Sequence, residues 1–256
     1  MLHRLLVHVL AEKNQFSEKI CDKLPEISME TRRSPANKVP TIESWLRKHT
    51  LAYTGATGHL FIHSIRDGTL DLTLFKRWME QDYIFERALV PFAASVLVKA
   101  WKASDDGSDM EAILGGMASL NDELAWFKNE ASKWGISLSG IVPHDAIIRY
   151  CRFMESLMGL EVEYTVAITA VWAIQTVYHD GFIHCSEEDS KKPKELRETC
   201  KRWASDAFGD YCLSLQEIAN MCLEKAPDDV VSKAEVVFLS VLEHEVEFWN
   251  MGYGKA

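Results

Sequence analysis

The sequence lacks most of the features that would settle its class at once. Its six cysteines (Cys21, Cys151, Cys185, Cys200, Cys212 and Cys222) form no Cys-x-x-Cys pair. Scattered like this, they read as free thiols in a reducing compartment rather than a disulfide framework. No Lys/Arg-rich run is present and the formal net charge is -10, so a nucleic-acid partner is not expected. No uncharged apolar stretch reaches the roughly 18 residues of a membrane span; the longest, Tyr164–Tyr178, is shorter and contains Gln175. No Gly-rich phosphate loop exists, only the isolated Gly115-Gly116 pair. None of the nine histidines follows a glutamate by three residues, as a di-iron bundle requires. His179-Asp180 and His244-Glu245 are adjacent pairs, which diverge by about 100° on a helix. His59 or His63 has the geometry for a haem ligand, but a lone helical histidine is more often packed or at the surface. Neither a metal nor a cofactor is expected. No run alternates with period two between hairpin turns, and no repeat recurs at fixed period, so strands and solenoids are not expected.

What is present favours a folded globule: 256 residues, 47% hydrophobic, with eight tryptophans. Residues 1–40 differ from the rest. Met1–Leu10 is apolar and weakly basic, either a short amphipathic helix or a degenerate targeting signal, and Arg32–Pro40 reads as a linker. This extension is set outside the core, and the domain is expected over residues 41–254. There nearly everything reads helical. Thr41 caps Ile42–Leu51, and Gly55–Ile65 runs to the Asp67-Gly68 turn. Asp71 caps Leu72–Ala100, with Pro91 as a kink or break. Asp109 caps Met110–Trp134; His144–Met158 and Glu161–Phe182 follow. Pro193 suits the first turn of Lys194–Leu223, and Asp228 or Asp229 starts a last helix ending near Gly252. The expected class is all-α, with the helix spacing of an antiparallel bundle.

Three of these helices carry a polar residue on the apolar stripe. Asp82 is in line with Phe75, Trp78, Met79, Phe85 and Leu89; Gln175 with Ile168, Val171 and Trp172; Glu245 with Phe238, Val241, Leu242 and Trp249. A buried carboxylate without a partner is costly. One reading is a structural ion pair with Arg77, Arg87 or Arg149. The other is a polar pocket lined by Trp78, Phe85, Tyr150, Trp172 and Phe248, suited to a flat, nitrogen-rich heterocycle. Cys151, Cys200 and Cys212 each read as a small buried hydrophobe rather than a nucleophile.

At these residues the chain resembles the TenA family of thiaminase II-like proteins. The matching segments are Ser64-Ile-Arg-Asp-Gly-Thr-Leu70 leading to Phe75, Gln81-Asp82-Tyr83, Tyr150-x-Arg152-x-Met154, Ala170-Val-Trp172 and Glu245-Val-Glu-Phe248-Trp249. The resemblance implies a haem-oxygenase-like helical bundle without haem. It also implies hydrolysis of aminopyrimidines from thiamin breakdown, and a homodimer or larger homo-oligomer. By position, Asp82 matches the aspartate that holds the pyrimidine's amino group and ring nitrogen. Tyr150 matches a pocket tyrosine, and Glu245 the acid that protonates the leaving amine. Phe85, Trp172, Gln175 and Phe248 complete the expected binding set. Where the major branch has a Pro-Cys-x-Trp nucleophile motif, this chain has Thr169-Ala170-Val171-Trp172. Two further tyrosines of that branch align with Phe85 and Ala207. The pattern is similar to the plant-like TenA-E branch, which lacks that cysteine and acts on the aminopyrimidine and its N-formyl derivative. The plant form carries a glutamate where this chain has Gln175. The competing expectations are a non-catalytic pyrimidine-binding or structural protein with a vestigial pocket, and a haem-degrading enzyme of the same fold. The cysteine pattern points to the cytoplasm, with residues 1–40 leaving organelle targeting open.

Overall fold

The computed structural model describes residues 40–103 and 107–254; the N-terminal extension, including its expected amphipathic helix and linker, lies outside the described residues. Ten α-helices and two 3-10 turns make up the described chain. The helices are α1 (Ile42–Lys48), α2 (Thr50–Thr57), α3 (Leu60–Arg66), α4 (Leu72–Ala103), α5 (Ser108–Trp134), α6 (Asp145–Leu157), α7 (Tyr164–Ile183), α8 (Arg197–Trp203), α9 (Asp206–Lys225) and α10 (Asp228–Gly252). The 3-10 turns are His184–Ser186 and Lys194–Leu196. The class is all-α, as expected.

Helix α7 explains the arrangement. It carries no charge over its first four turns because α2, α4, α8, α9 and α10 pack around it. A helix that is apolar on every side belongs at the centre of a bundle. Around it α4, α6 and α10 bring their apolar stripes together, and α5 lies along the outside of α4. Trp78 sits among Phe61, Phe75, Phe182, Trp203, Phe248 and Trp249, with ring centroids 5.3–6.3 Å away.

Several expected boundaries shift, each for a local reason. Thr41 caps α1 through a capping box with Ser44, as its sequence suggests. The helix nevertheless ends at Lys48 instead of Leu51, because His49 leaves helical geometry (φ -112°, ψ 28°) and turns its ring to Glu235, 2.7 Å away. Gly55–Ile65 is also not one helix. The chain breaks at Gly58, and His59 caps α3 by accepting the Phe61 N–H on Nδ1. Pro91 does not break α4, which runs unbroken through 32 residues. Pro91 and Arg87, one turn earlier, are both exposed, so the carbonyl left without its donor meets solvent. Asp109 lies inside the first turn of α5, accepting a hydrogen bond from Tyr164 (3.1 Å), rather than capping it. The expected Lys194–Leu223 helix is interrupted at Ala204, after which Ser205 caps α9 through the Phe208 N–H. That interruption places Trp203, Ser205, Ala207 and Phe208 in the wall of a cavity of about 500 Å³.

Candidate functional site

Asp82 on α4 and Glu245 on α10 are both completely buried. Each is held by a tyrosine from another helix. Tyr178 on α7 donates its hydroxyl to Asp82 Oδ1 (2.6 Å), and Tyr150 on α6 donates to Glu245 Oε1 (2.7 Å). The second oxygen of each carboxyl, Asp82 Oδ2 and Glu245 Oε2, has no partner. No cation pairs with either among the described residues; Arg149 instead pairs with Glu247 at the surface. The structural ion pair is therefore not what places these two carboxyls in the core.

Aromatic planes separate the two carboxyls from open space. Phe85 and Tyr178 are nearly parallel (4°) at 6.2 Å, and Phe85 lies 5.8 Å from Phe248 and 4.9 Å from Tyr150. A cavity of about 500 Å³ opens on the other side, between α4, α5, α7, α8 and α9, and is lined by Leu89, Glu123, Gln175, Arg202, Trp203 and Phe208 among others. Beside it, sharing the side chains of Leu89, Glu123, Gln175, Trp203 and Phe208, is a gap of about 10 Å³ that Phe85, Glu86, Ile174 and Tyr178 also bound. A gap of this size admits about one water. Asp82 and Glu245 line neither space; Phe85 and Tyr178 close the way to them.

Of the expected residues, the structure thus gathers Asp82, Phe85, Tyr150, Phe248 and Glu245 into one cluster and puts Gln175 in the cavity wall. Trp172 is elsewhere. Its ring packs on Phe238 (5.5 Å), which in turn stacks on Trp45 (6.0 Å), while Val171 and Gln175 face the cavity. The stripe that holds Trp172 does point inward, but toward α10 and α1. Trp78 likewise belongs to the aromatic core described above.

Four residues of the site were not singled out in the sequence: Tyr178, Glu86, Glu123 and Arg202. Tyr178 closes the uncharged run of α7 one turn past Gln175, and Glu86 follows Asp82 by four residues, so both spacings were available signals. Glu123 accepts hydrogen bonds from Trp203 Nε1 (2.6 Å) and Arg202 Nε (3.5 Å). Arg202 also lies over the Trp126 ring at 5.3 Å.

Four carboxyls and one guanidinium make the interior proton-rich. Burial pushes Glu245 up to about 8, against the hydrogen bond from Tyr150. Burial also raises Asp82 well above the carboxylate range, against Tyr178 and with help from the charges of Glu123 and Glu245. Glu86 is raised by burial, then by Glu123 and Asp82. Glu123 rises less far because Arg202 and Trp203 oppose its desolvation. Both buried tyrosines are raised, first by burial and then by the carboxyl each one faces, so they act as donors. Chemically, the cluster offers carboxyl protons and lone pairs beside flat apolar surfaces.

Residues 46–255 match the TENA/THI-4/PQQC family. The chain belongs to this family. It is 62% identical over 225 residues to a probable bifunctional TENA-E protein of Glycine max, covering 88% of this chain and 98% of that protein. It is 25% identical over 205 residues to an aminopyrimidine aminohydrolase of Halalkalibacterium halodurans, covering 77% and 88% respectively. Among solved structures, a TenA homologue from Pyrococcus furiosus superposes with a TM-score of 0.76 at 24% identity, over 82% of this chain and 98% of that one. This TenA-family fold carries the candidate site on α4, α6, α7 and α10.

Proposed function

We propose that this TenA-family protein hydrolyses aminopyrimidines derived from thiamin, removing the amine from the pyrimidine's methylene or the formyl group from its N-formyl amine. The observation that carries the reading is the pair of buried carboxyls, each fixed by a tyrosine and each keeping one oxygen free, beside a stack of aromatic rings. Asp82, held neutral by burial, offers a proton at Oδ2 to a ring nitrogen and lone pairs to the exocyclic amine, while Phe85 and Phe248 supply faces for the ring. Glu245, raised to about 8, still holds its proton at neutral pH and gives it to the departing nitrogen. Gln175 orients water or the formyl carbonyl; it cannot take a proton.

The relative from Glycine max supports placement in the TenA-E branch, and so does position 170. Ala170 is buried, and no cysteine lines the cavity among the described residues. Attack by water on carbon, without a thiol adduct, follows from that arrangement. The five described cysteines are free thiols, which fits a reducing compartment.

The test is product formation from N-formyl-aminomethylpyrimidine and from the free aminomethylpyrimidine, followed by chromatography. Glu245→Gln should abolish turnover of whichever substrate the wild type uses, with ligand-induced thermal stabilisation kept. Asp82→Ala should weaken binding by about 1–3 kcal/mol, the scale for losing a buried hydrogen-bond partner. Wild-type protein that is stabilised by these pyrimidines yet consumes neither would leave a binding protein and end the hydrolase reading.

A further inference from the structure

The cavity itself meets the carboxyl of Glu123. A further carboxyl, that of Glu86, lies one turn beyond Asp82 on α4, on the same face, and borders the small gap beside the cavity. Glu86 is 4% exposed, and its side chain makes no hydrogen bond to any described residue; Oε2 is sealed from solvent without a partner. Such a carboxyl is costly unless something else uses it. Its surroundings do not pair it. Glu123, Asp82 and Glu245 face it with like charge, and the one cation among the described residues that reaches it, Arg202, is engaged with Glu123. The gap it borders is lined also by Gln175 and Tyr178 on α7, by Phe85, and by Glu123, Trp203 and Phe208 among others. Water that enters this gap meets Glu86 and Gln175 beside the rings of Phe85 and Tyr178.

The geometry points to Glu86 as a second catalytic residue, the base that takes a proton from the attacking water while Gln175 holds that water by its amide. This rests on the hydrolase reading above and divides its chemistry between two carboxyls. For the free amine, water oxygen bonds to the methylene carbon as the carbon–nitrogen bond breaks. Glu86 carboxylate receives one proton of that water, and Glu245 gives its proton to the leaving nitrogen. The products are the hydroxymethylpyrimidine and ammonia, with Glu86 protonated and Glu245 ionised. One proton returned from Glu86 to Glu245 through water restores the starting state. The active form thus carries one proton on the pair. Burial among carboxyls makes Glu86, once ionised, a stronger base than a solvated glutamate.

The experiment compares the pH dependence of kcat/KM for aminomethylpyrimidine in wild type, Glu86→Gln, Glu86→Asp and Glu245→Gln. Binding of the hydroxymethylpyrimidine product is followed by thermal shift. Wild type should show a bell, rising as the Glu86–Glu245 pair loses its first proton and falling as it loses its second. Glu86→Gln should lower kcat by at least about 100-fold and remove the rising limb, with product binding kept. Glu86→Asp should retain the rising limb at reduced rate. A Glu86→Gln protein with wild-type kcat and an unchanged rising limb overturns the role of Glu86 and leaves the hydrolase reading standing. A Glu86→Gln protein that loses product binding along with activity makes Glu86 a structural group and overturns its role too. If wild type consumes neither substrate, both readings fall together.

Discussion

At the scale of single residues, what distinguishes this site is how each group is held. A tyrosine hydroxyl from another helix fixes one oxygen of Asp82 and one of Glu245. The buried hydroxyls hold their protons, so the hydrogen bonds have a fixed direction. The thiols are built oppositely. Burial pushes Cys151 up to about 11 and Cys212 and Cys222 up to about 12, so little thiolate exists at neutral pH. Turnover should therefore survive treatment with iodoacetamide near pH 7.5. Inactivation that the hydroxymethylpyrimidine product prevents would place a reactive thiol in the site and contradict attack by water. Asp82 and Glu245 were legible in the sequence because a carboxyl breaks an otherwise apolar stripe. Glu86 lies one turn from Asp82 on the same stripe, a signal that was there to read, but its neighbour Arg87 is exposed and makes the pair look like a solvated face. Trp172 shows the converse limit: periodicity says that a side chain points inward, not which inward neighbour it meets.

At the scale of elements, the turn Asp67-Gly68-Thr69 explains one of the segments that carry the family resemblance. Gly68 has φ +71°, and a Cβ there would lie 2.5 Å from the Lys191 carbonyl oxygen. The Thr69 and Leu70 N–H groups both reach the Ser64 carbonyl, and the Lys191 N–H reaches that of Arg66 at 2.7 Å. The turn therefore closes α3, launches α4 and holds the stretch after α7 against itself. Gly68→Ala meets both a left-handed backbone and a backbone oxygen that cannot step aside cheaply. It should destabilise the fold by about 1–3 kcal/mol, read from the midpoint of urea unfolding. An unchanged midpoint would show that the stretch around Lys191 moves freely. The glycine was legible as a turn; its contact with a segment more than a hundred residues away was not, because no local pattern encodes it. The same holds for the breaks at Gly58 and Ala204. The apolar pattern runs past Ser205, and only the structure shows that serine capping α9 where residues of the cavity wall gather.

At the scale of the whole molecule, gathering four carboxyls in one interior couples folding to pH. Glu245 illustrates the sign. Its carboxyl titrates near 4.5 in the unfolded chain and near 8 when folded, so between those values the folded protein holds a proton that the unfolded chain has lost. Stability from that group is fully present below about pH 4.5 and declines as pH rises toward 8, with a slope of about 1.4 kcal/mol per pH unit per proton. Asp82, Glu86 and Glu123 are raised in the same direction and steepen the decline. Surface carboxylates act in the opposite sense. Asp71 is held low by the Thr73 backbone and hydroxyl, and Glu187 by His184 and then Arg66; their contributions are lost as pH falls below the ordinary carboxylate range. The two trends together place maximum stability near pH about 4–5 and predict a falling Tm from there to pH 8. Glu245→Gln keeps a neutral group of similar shape at the same place, so its Tm should fall less steeply over that range and exceed the wild-type value at pH 8. Parallel curves for the two proteins would mean that Glu245 is already ionised when folded, and the proton assigned to the departing amine would have to come from another member of the cluster.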